Sequence, residues 1–338
     1  MKLSNTAQRV LFYGGLASFL LGATWYATAM PGRSHRGPLP PAEQPQRATE
    51  AELSVHVTAL AGAIGERSVG AGDSLTLARE YVRGELAKLS STGPSSLTTE
   101  DVGPDGSNAH NVIFTLTGQS AEIVLVGAHY DSAPGTPGAN DNASGVAVGL
   151  LLAKRLAPRR FERTLRFVFF ANEEPPYFQN PGMGSLAHAR ASAQRGDRIV
   201  AMLALESLGH YSDAAHSQRY PWPVGLLYPD VGDFVAFVGN VGSRDLVHRA
   251  IATFRESAAF PSEGAALPGA IPGVGWSDHW SFWQYDYPAI MVTDTAVFRD
   301  RNYHQSGDLP PELDYGRMAR VASGLENVVA GLAGLTRP

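Results

Sequence analysis

The sequence contains no cysteine. This absence excludes disulfide bonds, cysteine nucleophiles and thiolate metal sites, and it is compatible with an exported protein as well as with a cytosolic one. Charged residues are also scarce, at 17% of the 338 residues, and the formal net charge of −5 comes with no long basic run. A nucleic-acid partner therefore has no electrostatic support, and we expect none.

Two common catalytic motifs are missing as well. The sequence has no G-x-S-x-G stretch of the serine hydrolases and no G-x-x-x-x-G-K phosphate-binding loop. Glycine and proline are frequent, with 36 and 23 residues, and they are scattered rather than periodic, which predicts many ordered loops. The length is sufficient for one large α/β domain with a sizeable core.

The N-terminal segment contains a long stretch without charged residues. "VLFYGGLASFLLGATWYATAM", residues 10–30, has no charged residue and is as long as the roughly 20 residues that a membrane-spanning helix needs. We therefore expect residues 1–30 to be a transmembrane signal anchor that contacts the membrane through residues 10–30. The alternative is a cleaved signal peptide, with "ATA" before Met30 as a weak cleavage site. Both interpretations place the remainder outside the cytoplasm (periplasmic or extracellular), membrane-anchored in the first case and secreted in the second.

Beyond this segment the chain divides into a linker and a folded domain. Residues 31–47 are Pro-rich and polar, which is typical of an extended tether, and residues 48–338 carry the apolar periodicity of a folded domain. Strand and helix patterns alternate along that domain. The alternation predicts an α/β three-layer sandwich, in which a central, mostly parallel mixed sheet is flanked by helices.

Polar residues follow several of the predicted strands. Ligands bind at the carboxyl ends of the strands in open α/β sheets, so these residues are candidates for a site. Two adjacent carboxylates, Glu173 and Glu174, end a buried strand, and this is costly unless a positive charge neutralises them. Carboxylates together with imidazoles suit zinc, and five candidate ligands are too many for one tetrahedral ion but fit two ions that share a bridging carboxylate. The residues that gather at these strand ends are His129, Asp131, Asp141, Glu173, Glu174, Glu206 and His304.

Several motifs together resemble one enzyme family. "HYDS", "GANDNASG", "ANEE", "WSDHWSFW" and "YHQSGD" occur in this order, and with them nearly the whole domain resembles the zinc-dependent exopeptidases related to bacterial di-zinc aminopeptidases and glutaminyl cyclases. The resemblance implies two Zn²⁺ ions per chain at the carboxyl ends of the strands. It also implies a cis peptide bond after Asp141. Many relatives have Asp where this chain has Glu206, while other members use Glu.

The resemblance also implies a role for each site residue. His129 and Glu206 would hold one zinc ion, Glu174 and His304 the other, and Asp141 would bridge them. Glu173 would be the catalytic base, and Asp131 would accept a hydrogen bond from His129 and fix its tautomer. Candidates for substrate binding are Asp278, His279, Arg299 and Tyr303, and the aromatic residues Trp276, Trp280, Phe282 and Trp283 either line a side-chain pocket or pack the loop.

The expected function is a metal-dependent exopeptidase that removes N-terminal residues from peptides. Glu173 would act as the general base toward a water activated by two zinc ions. Glutaminyl cyclisation, carboxypeptidase or dipeptidase activity with Arg299 or Arg301 on the substrate carboxylate, and a non-enzymatic binding domain are the alternatives. The sequence gives no prediction of oligomeric state.

Overall fold

The structure is a computed structural model that describes residues 5–89, 94–103 and 109–336. The first four residues of the predicted anchor and the last two of the predicted domain lie outside the described residues. An eight-stranded mixed sheet occupies the centre. The strands are β1 Ser95–Asp101, β2 His110–Leu116, β3 Ser120–His129, β4 Arg163–Phe170, β5 Arg198–Glu206, β6 Val235–Gly239, β7 Ser262–Ala266 and β8 Ala289–Thr293.

The strand order across the sheet is β1-β2-β4-β3-β5-β8-β6-β7. The four central strands β4, β3, β5 and β8 are parallel. On one side β2 pairs antiparallel with β4 and β1 antiparallel with β2, and on the other β6 pairs antiparallel with β8 and parallel with β7. The central strands are continuous runs of valine, leucine, alanine, phenylalanine and methionine because both of their faces are buried. The predicted α/β sandwich with a mixed sheet is confirmed.

Helices cover both faces of this sheet. They are α1 Asn5–Thr28, α2 Gln44–Val57, α3 Ser74–Ala87, α4 Gly145–Leu156, α5 Gly184–Arg195, α6 Arg244–Ser257, α7 His279–Trp283, α8 Ala296–Arg299 and α9 Tyr315–Ala333. One face carries α2, α3, α4, α6 and α9, which form the larger apolar core, and the other carries α5 and α7 over the smaller one. The helix α4 is almost entirely buried between the sheet and its neighbours, and its basic residues stand in the last turn, where they complement the helix dipole.

The N-terminal helix α1 corrects one prediction. Within the described chain, no helix is both long and apolar enough to cross a bilayer, so the predicted transmembrane helix is wrong and contact with a membrane through residues 10–30 is not supported. The physical reason is the composition of α1, in which three glycines and the polar Ser18 and Thr24 interrupt the apolar residues. The end of α1 contacts the domain, because Arg244 Nε donates to the Tyr26 carbonyl at 2.7 Å.

The segment after α1 lies against the folded domain. Residues 31–43 form no helix or strand, and the next helix begins at Gln44. Ser34 Oγ accepts a hydrogen bond from Ser262 N at 2.8 Å on the edge strand β7, and Arg255 Nη1 donates to the Pro31 carbonyl at 2.9 Å. The division into residues 1–30, 31–47 and 48–338 and the location of the domain outside the cytoplasm stay predictions.

Candidate metal centre

The five predicted metal ligands lie together at the carboxyl edge of the central parallel strands. Three of them form one group, in which His129 Nε2 lies 3.2 Å from Asp141 Oδ1 and 3.2 Å from Glu206 Oε2. His129 and Glu206 are the last residues of β3 and β5, two neighbouring strands. Asp141 comes from the turn that leads from β3 into α4.

A second group shares one residue with the first. His304 Nε2 lies 3.1 Å from Asp141 Oδ2 and 3.2 Å from Glu174 Oε2. The two carboxylate oxygens of Asp141 therefore face different groups, as a bridging carboxylate would. His304 is carried by the loop between α8 and α9, and it has a positive φ of 55°.

The donor atoms of both groups suit a divalent cation. Among the described residues, Nε2 of His129 and Nε2 of His304 are buried and have no hydrogen-bond partner, although carboxylate oxygens surround them. An imidazole nitrogen left without a partner beside carboxylates is the arrangement that a metal ion completes. Nitrogen and oxygen donors without a thiolate fit zinc and other divalent ions of the same class.

The proton affinities of these groups reflect their crowding. Burial and the neighbouring Asp141 raise the pKa of Glu174 to about 7 and raise the pKa of Glu206. Burial alone would lower the pKa of His304, but the nearby carboxylates of Asp141 and Glu174 raise it to about 10. Four buried carboxyl groups thus crowd around two imidazoles, and the cluster has the electrostatics of a cation site.

The turn after β4 separates the two adjacent glutamates. Asn172 has a φ of 58°, a left-handed conformation that asparagine tolerates, and it turns the chain sharply before Glu173. The Asp131 carboxylate accepts hydrogen bonds from Glu173 N and Glu174 N, both at 3.1 Å, and so fixes the turn. Glu174 reaches the second ligand group, whereas Glu173 Oε2 lies 3.9 Å from His129 Nε2 and belongs to neither group.

Asp131 also lies beside the first ligand group. Its Oδ1 is 3.4 Å from His129 Nδ1, an ion-pair distance without the alignment of a hydrogen bond. The carboxylate therefore contacts the face of His129 opposite to the candidate metal position while it holds the glutamate turn. A carboxylate behind a ligating imidazole is the usual arrangement for fixing its tautomer.

The turn that carries Asp141 is held by hydrogen bonds from distant parts of the chain. The predicted cis peptide bond between Asp141 and Asn142 is confirmed. Asp308 accepts from Asn140 N at 2.7 Å and from Asp141 N at 3.1 Å, and Asn142 Nδ2 donates to the Leu205 carbonyl at 2.8 Å. These contacts join the turn to the end of β5 and to the loop of His304.

A buried arginine that the sequence reasoning missed supports the same turn. Arg67 is fully buried, and its guanidinium donates to the carbonyls of Tyr130 and Gly138, each at 2.8 Å, and to that of Pro137. Burial lowers its pKa to about 10, while Asp131, Asp308 and other nearby carboxylates favour its charged form. Gly138 has a φ of 61°, and a Cβ there would lie 2.8 Å from Arg67 Nη2. The signal in the sequence was a lone arginine in the glycine-containing stretch "IGERSVGAG".

Two of the four predicted substrate-binding residues lie away from solvent. His279 is buried, its Nε2 lies 2.8 Å from the Val274 carbonyl, and burial lowers its pKa to about 4. Asp278 is also buried, and burial raises its pKa to about 7. Neither belongs to the two ligand groups, although the charge of Asp278 acts on Glu173.

The other two predicted substrate-binding residues differ in their surroundings. Tyr303 stacks on His304 with ring centroids 4.0 Å apart, which places it beside the second ligand group. Arg299 donates to the carbonyls of His210 and Phe234 and to Gln218 Oε1, so its guanidinium joins the loops that carry these three residues.

A pocket, called the side pocket below, opens beside Glu206 and Tyr303. Its walls are formed by β6, β7 and β8 and by the segments 220–228, 267–276 and 295–298. Of the predicted aromatic cluster, Trp276 lines this pocket, while Phe282 packs into the smaller core and Trp283 Nε1 donates to the Ala289 carbonyl. The cluster therefore serves both as pocket wall and as loop packing.

Comparisons with known sequences agree with this geometry. The family model described as "Peptidase family M28" matches residues 111–329. "Uncharacterized protein YfbL" of Escherichia coli (strain K12) is 38% identical over 291 residues, which cover 83% of this chain and 88% of that protein. "Leucine aminopeptidase 1" of Arthroderma otae is 26% identical over 238 residues, 66% of this chain and 58% of that protein. The chain thus spans somewhat more than half of the length of that aminopeptidase.

Solved structures show the same fold. LapB from Legionella pneumophila has a TM-score of 0.69 at 16% identity, covering 89% of this chain and 78% of that one. "BSAP, a zinc aminopeptidase from Bacillus subtilis" has a TM-score of 0.64 at 16% identity, covering 85% and 95% of the two chains. At these identities the likeness concerns the fold alone.

Replacing Arg67 tests whether this buried cation supports the site. We expect Arg67→Met to lower the free energy of unfolding by about 3–5 kcal/mol, because several buried carbonyls lose their donor and nearby carboxylates lose a counter-charge. Arg83→Met, which removes a half-exposed arginine from α3, should change it by less than about 0.5 kcal/mol. Urea unfolding of the two variants measures both values. Equal values for the two would show that Arg67 is dispensable.

Proposed function

Because the chain belongs to peptidase family M28 and is a zinc-dependent peptidase, we propose that it is an aminopeptidase that holds two zinc ions. The observation that carries the proposal is the pair of ligand groups that share Asp141, with the uncommitted Glu173 beside them. The two groups use five different residues, which suits two ions better than one. His129, Asp141 and Glu206 would hold one ion, and Asp141, Glu174 and His304 the other.

The proposed chemistry divides between the metal and the protein. Bound zinc would lower the pKa of a water molecule from about 15.7 toward 7, which makes that water a nucleophile at neutral pH. Glu173 takes a proton from the attacking water and passes it to the leaving amine, and its freedom from both ligand groups leaves its carboxylate available for this. Asp131 holds the backbone of Glu173 and so aims that carboxylate.

The surroundings of the site favour amino-terminal over carboxy-terminal trimming. A carboxypeptidase needs a cation for the substrate carboxylate, but Arg299 donates through Nε and Nη1 to Gln218 and two backbone carbonyls and does not line the side pocket. Among the described residues that line the side pocket there is no lysine, arginine or histidine. A protonated N-terminal amine suits this acidic environment better than a carboxylate does.

Glutaminyl cyclisation is the second candidate activity. It would take place in the same fold with one zinc ion, whereas the chain provides two ligand groups and a free glutamate suited to activating water. Hydrolysis therefore fits the donor count better. The two activities differ in their products, since a cyclase releases ammonia from an N-terminal glutamine and a peptidase releases an amino acid.

Product masses separate these activities directly. The zinc-loaded full chain is incubated with a mixture of short peptides, some of which begin with glutamine. We expect stepwise loss of N-terminal residues, abolished by a chelator and restored by zinc. Release of ammonia from the glutamine peptides alone would replace the proposal with a cyclase, and trimming from the carboxyl end would replace it with a carboxypeptidase.

Glu173→Gln tests the role of the general base. The variant keeps the shape of the side chain and both ligand groups, so we expect unchanged zinc content and a loss of kcat of about a hundred- to ten-thousandfold. Glu312→Gln removes an exposed glutamate and should keep the wild-type rate. Zinc is measured by elemental analysis and kcat on the best peptide. A fully metallated Glu173→Gln protein that turns over at the wild-type rate would remove Glu173 from this role.

A further inference from the structure

A row of side chains leads from the candidate metal centre across the floor of the side pocket. Glu206 pairs with Thr293, Thr293 pairs with Ala236, and Ala236 pairs with Glu263. Residues that pair directly across neighbouring strands project from the same face of a sheet, so all four side chains stand on the pocket face. Three inter-strand steps of about 4.8 Å place the two glutamate Cα atoms roughly 14 Å apart.

Glu263 stands at the far end of this row without a partner of its own. Among the described residues, its carboxylate makes no hydrogen bond and no ion pair within 4 Å. The two tyrosines nearby use their hydroxyl groups elsewhere, since Tyr228 donates to the Gly264 carbonyl at 2.9 Å and Tyr220 to the Pro229 carbonyl at 2.7 Å. A half-buried carboxylate without a donor is unfavourable, and burial raises its pKa.

The cations nearest to Glu263 do not line the side pocket. Arg255 is held at the edge of the sheet, where it donates to the Ser262 carbonyl at 2.7 Å and to the Pro31 carbonyl at 2.9 Å. Arg36 is exposed on the segment before α2. Both act on Glu263 only over a longer distance, together with the negative charge of Asp233.

The remaining walls of the side pocket are mainly apolar and aromatic. Such walls suit a long aliphatic stem, and the aromatic residues Tyr220, Tyr228 and Trp276 are among them. Lysine and arginine combine such a stem with a charged end. Apolar walls that end in one unpaired carboxylate therefore match these two side chains. Further members of the wall are Pro221, Val224, Phe234, Val238, Leu267, Ile271, Met291 and Phe298.

We infer that Glu263 gives the side pocket a preference for peptides that begin with lysine or arginine. The inference rests on the proposed aminopeptidase function, which places the N-terminal residue between the metal centre and this pocket. An extended lysine side chain spans roughly 6 Å from Cα to Nζ, and the Glu263 carboxylate reaches roughly 5 Å from its Cα, so that the two side chains and a hydrogen bond of about 2.8 Å between them match the length of the row. A leucine side chain is shorter and leaves the carboxylate unpaired.

Matched peptides test this preference. For wild-type protein, kcat/KM for Lys-Ala-Ala and Arg-Ala-Ala should exceed that for norleucine-Ala-Ala by about tenfold or more, because a charge-assisted hydrogen bond forms only with the cationic residues. Glu263→Gln should lower the lysine and arginine values by about ten- to a hundredfold and leave the norleucine value within twofold. Glu256→Gln, which removes an exposed charge from α6, should change none of them.

Two results would overturn the inference. The first is a wild-type protein that cleaves lysine and arginine peptides no faster than the norleucine peptide, a comparison that needs no variant. The second is a folded Glu263→Gln protein, checked by circular dichroism, that loses activity equally on every peptide.

A failure of the proposed function itself is recognised separately. If zinc-loaded wild-type protein cleaves no peptide, the preference of the side pocket is tested by measuring the affinities of argininamide and norleucinamide by calorimetry. At least tenfold tighter binding of argininamide, lost in Glu263→Gln, sustains the inference, and equal affinities overturn it.

Discussion

Buried negative charge at one edge of the sheet is the constraint on which the site depends. Asp141, Glu173, Glu174 and Glu206 are all buried within a few ångströms of two imidazoles. Carboxylates packed this closely in a low-dielectric environment repel one another unless positive charge and hydrogen-bond donors surround them. The structure supplies part of that balance through its own groups, and the proposed divalent cation at each ligand group would complete it.

The architecture of the chain follows from the need to hold these groups. Parallel strands deliver the ligands to one edge, and tight turns after them aim each side chain separately. Hydrogen bonds from other parts of the chain fix these turns. Asp308 accepts from the backbone of the Asp141 turn, Asp131 accepts from the backbone of the glutamate turn, and the guanidinium of Arg67 donates to the loop before Asp141. Such outer contacts determine how accurately ligands are placed, which is why the loops of this protein are bound so extensively.

The sequence identified the residues at strand ends and Asp131 beside them, but not the other groups that hold them. His129 and Glu206 could be placed because buried strands are recognisable and their ends meet at one edge. The roles of Arg67 and Asp308 could not be predicted, because their partners are backbone groups far away in sequence, which no local pattern reveals. The predicted span over residues 10–30 is wrong for a different reason, because the stretch lacks charge but its glycine and hydroxyl side chains dilute its hydropathy. Glu263 became visible only through strand register, because the order β5-β8-β6-β7 is not set by local sequence.

The central claim is that the shared Asp141 joins two metal ions in one centre. Anomalous diffraction at the zinc edge, from crystals of the protein prepared with zinc, tests it most directly because it locates each ion independently of activity. The account predicts two peaks, one among His129, Asp141 and Glu206 and one among Asp141, Glu174 and His304. A single peak, or peaks bound by other residues, would contradict it.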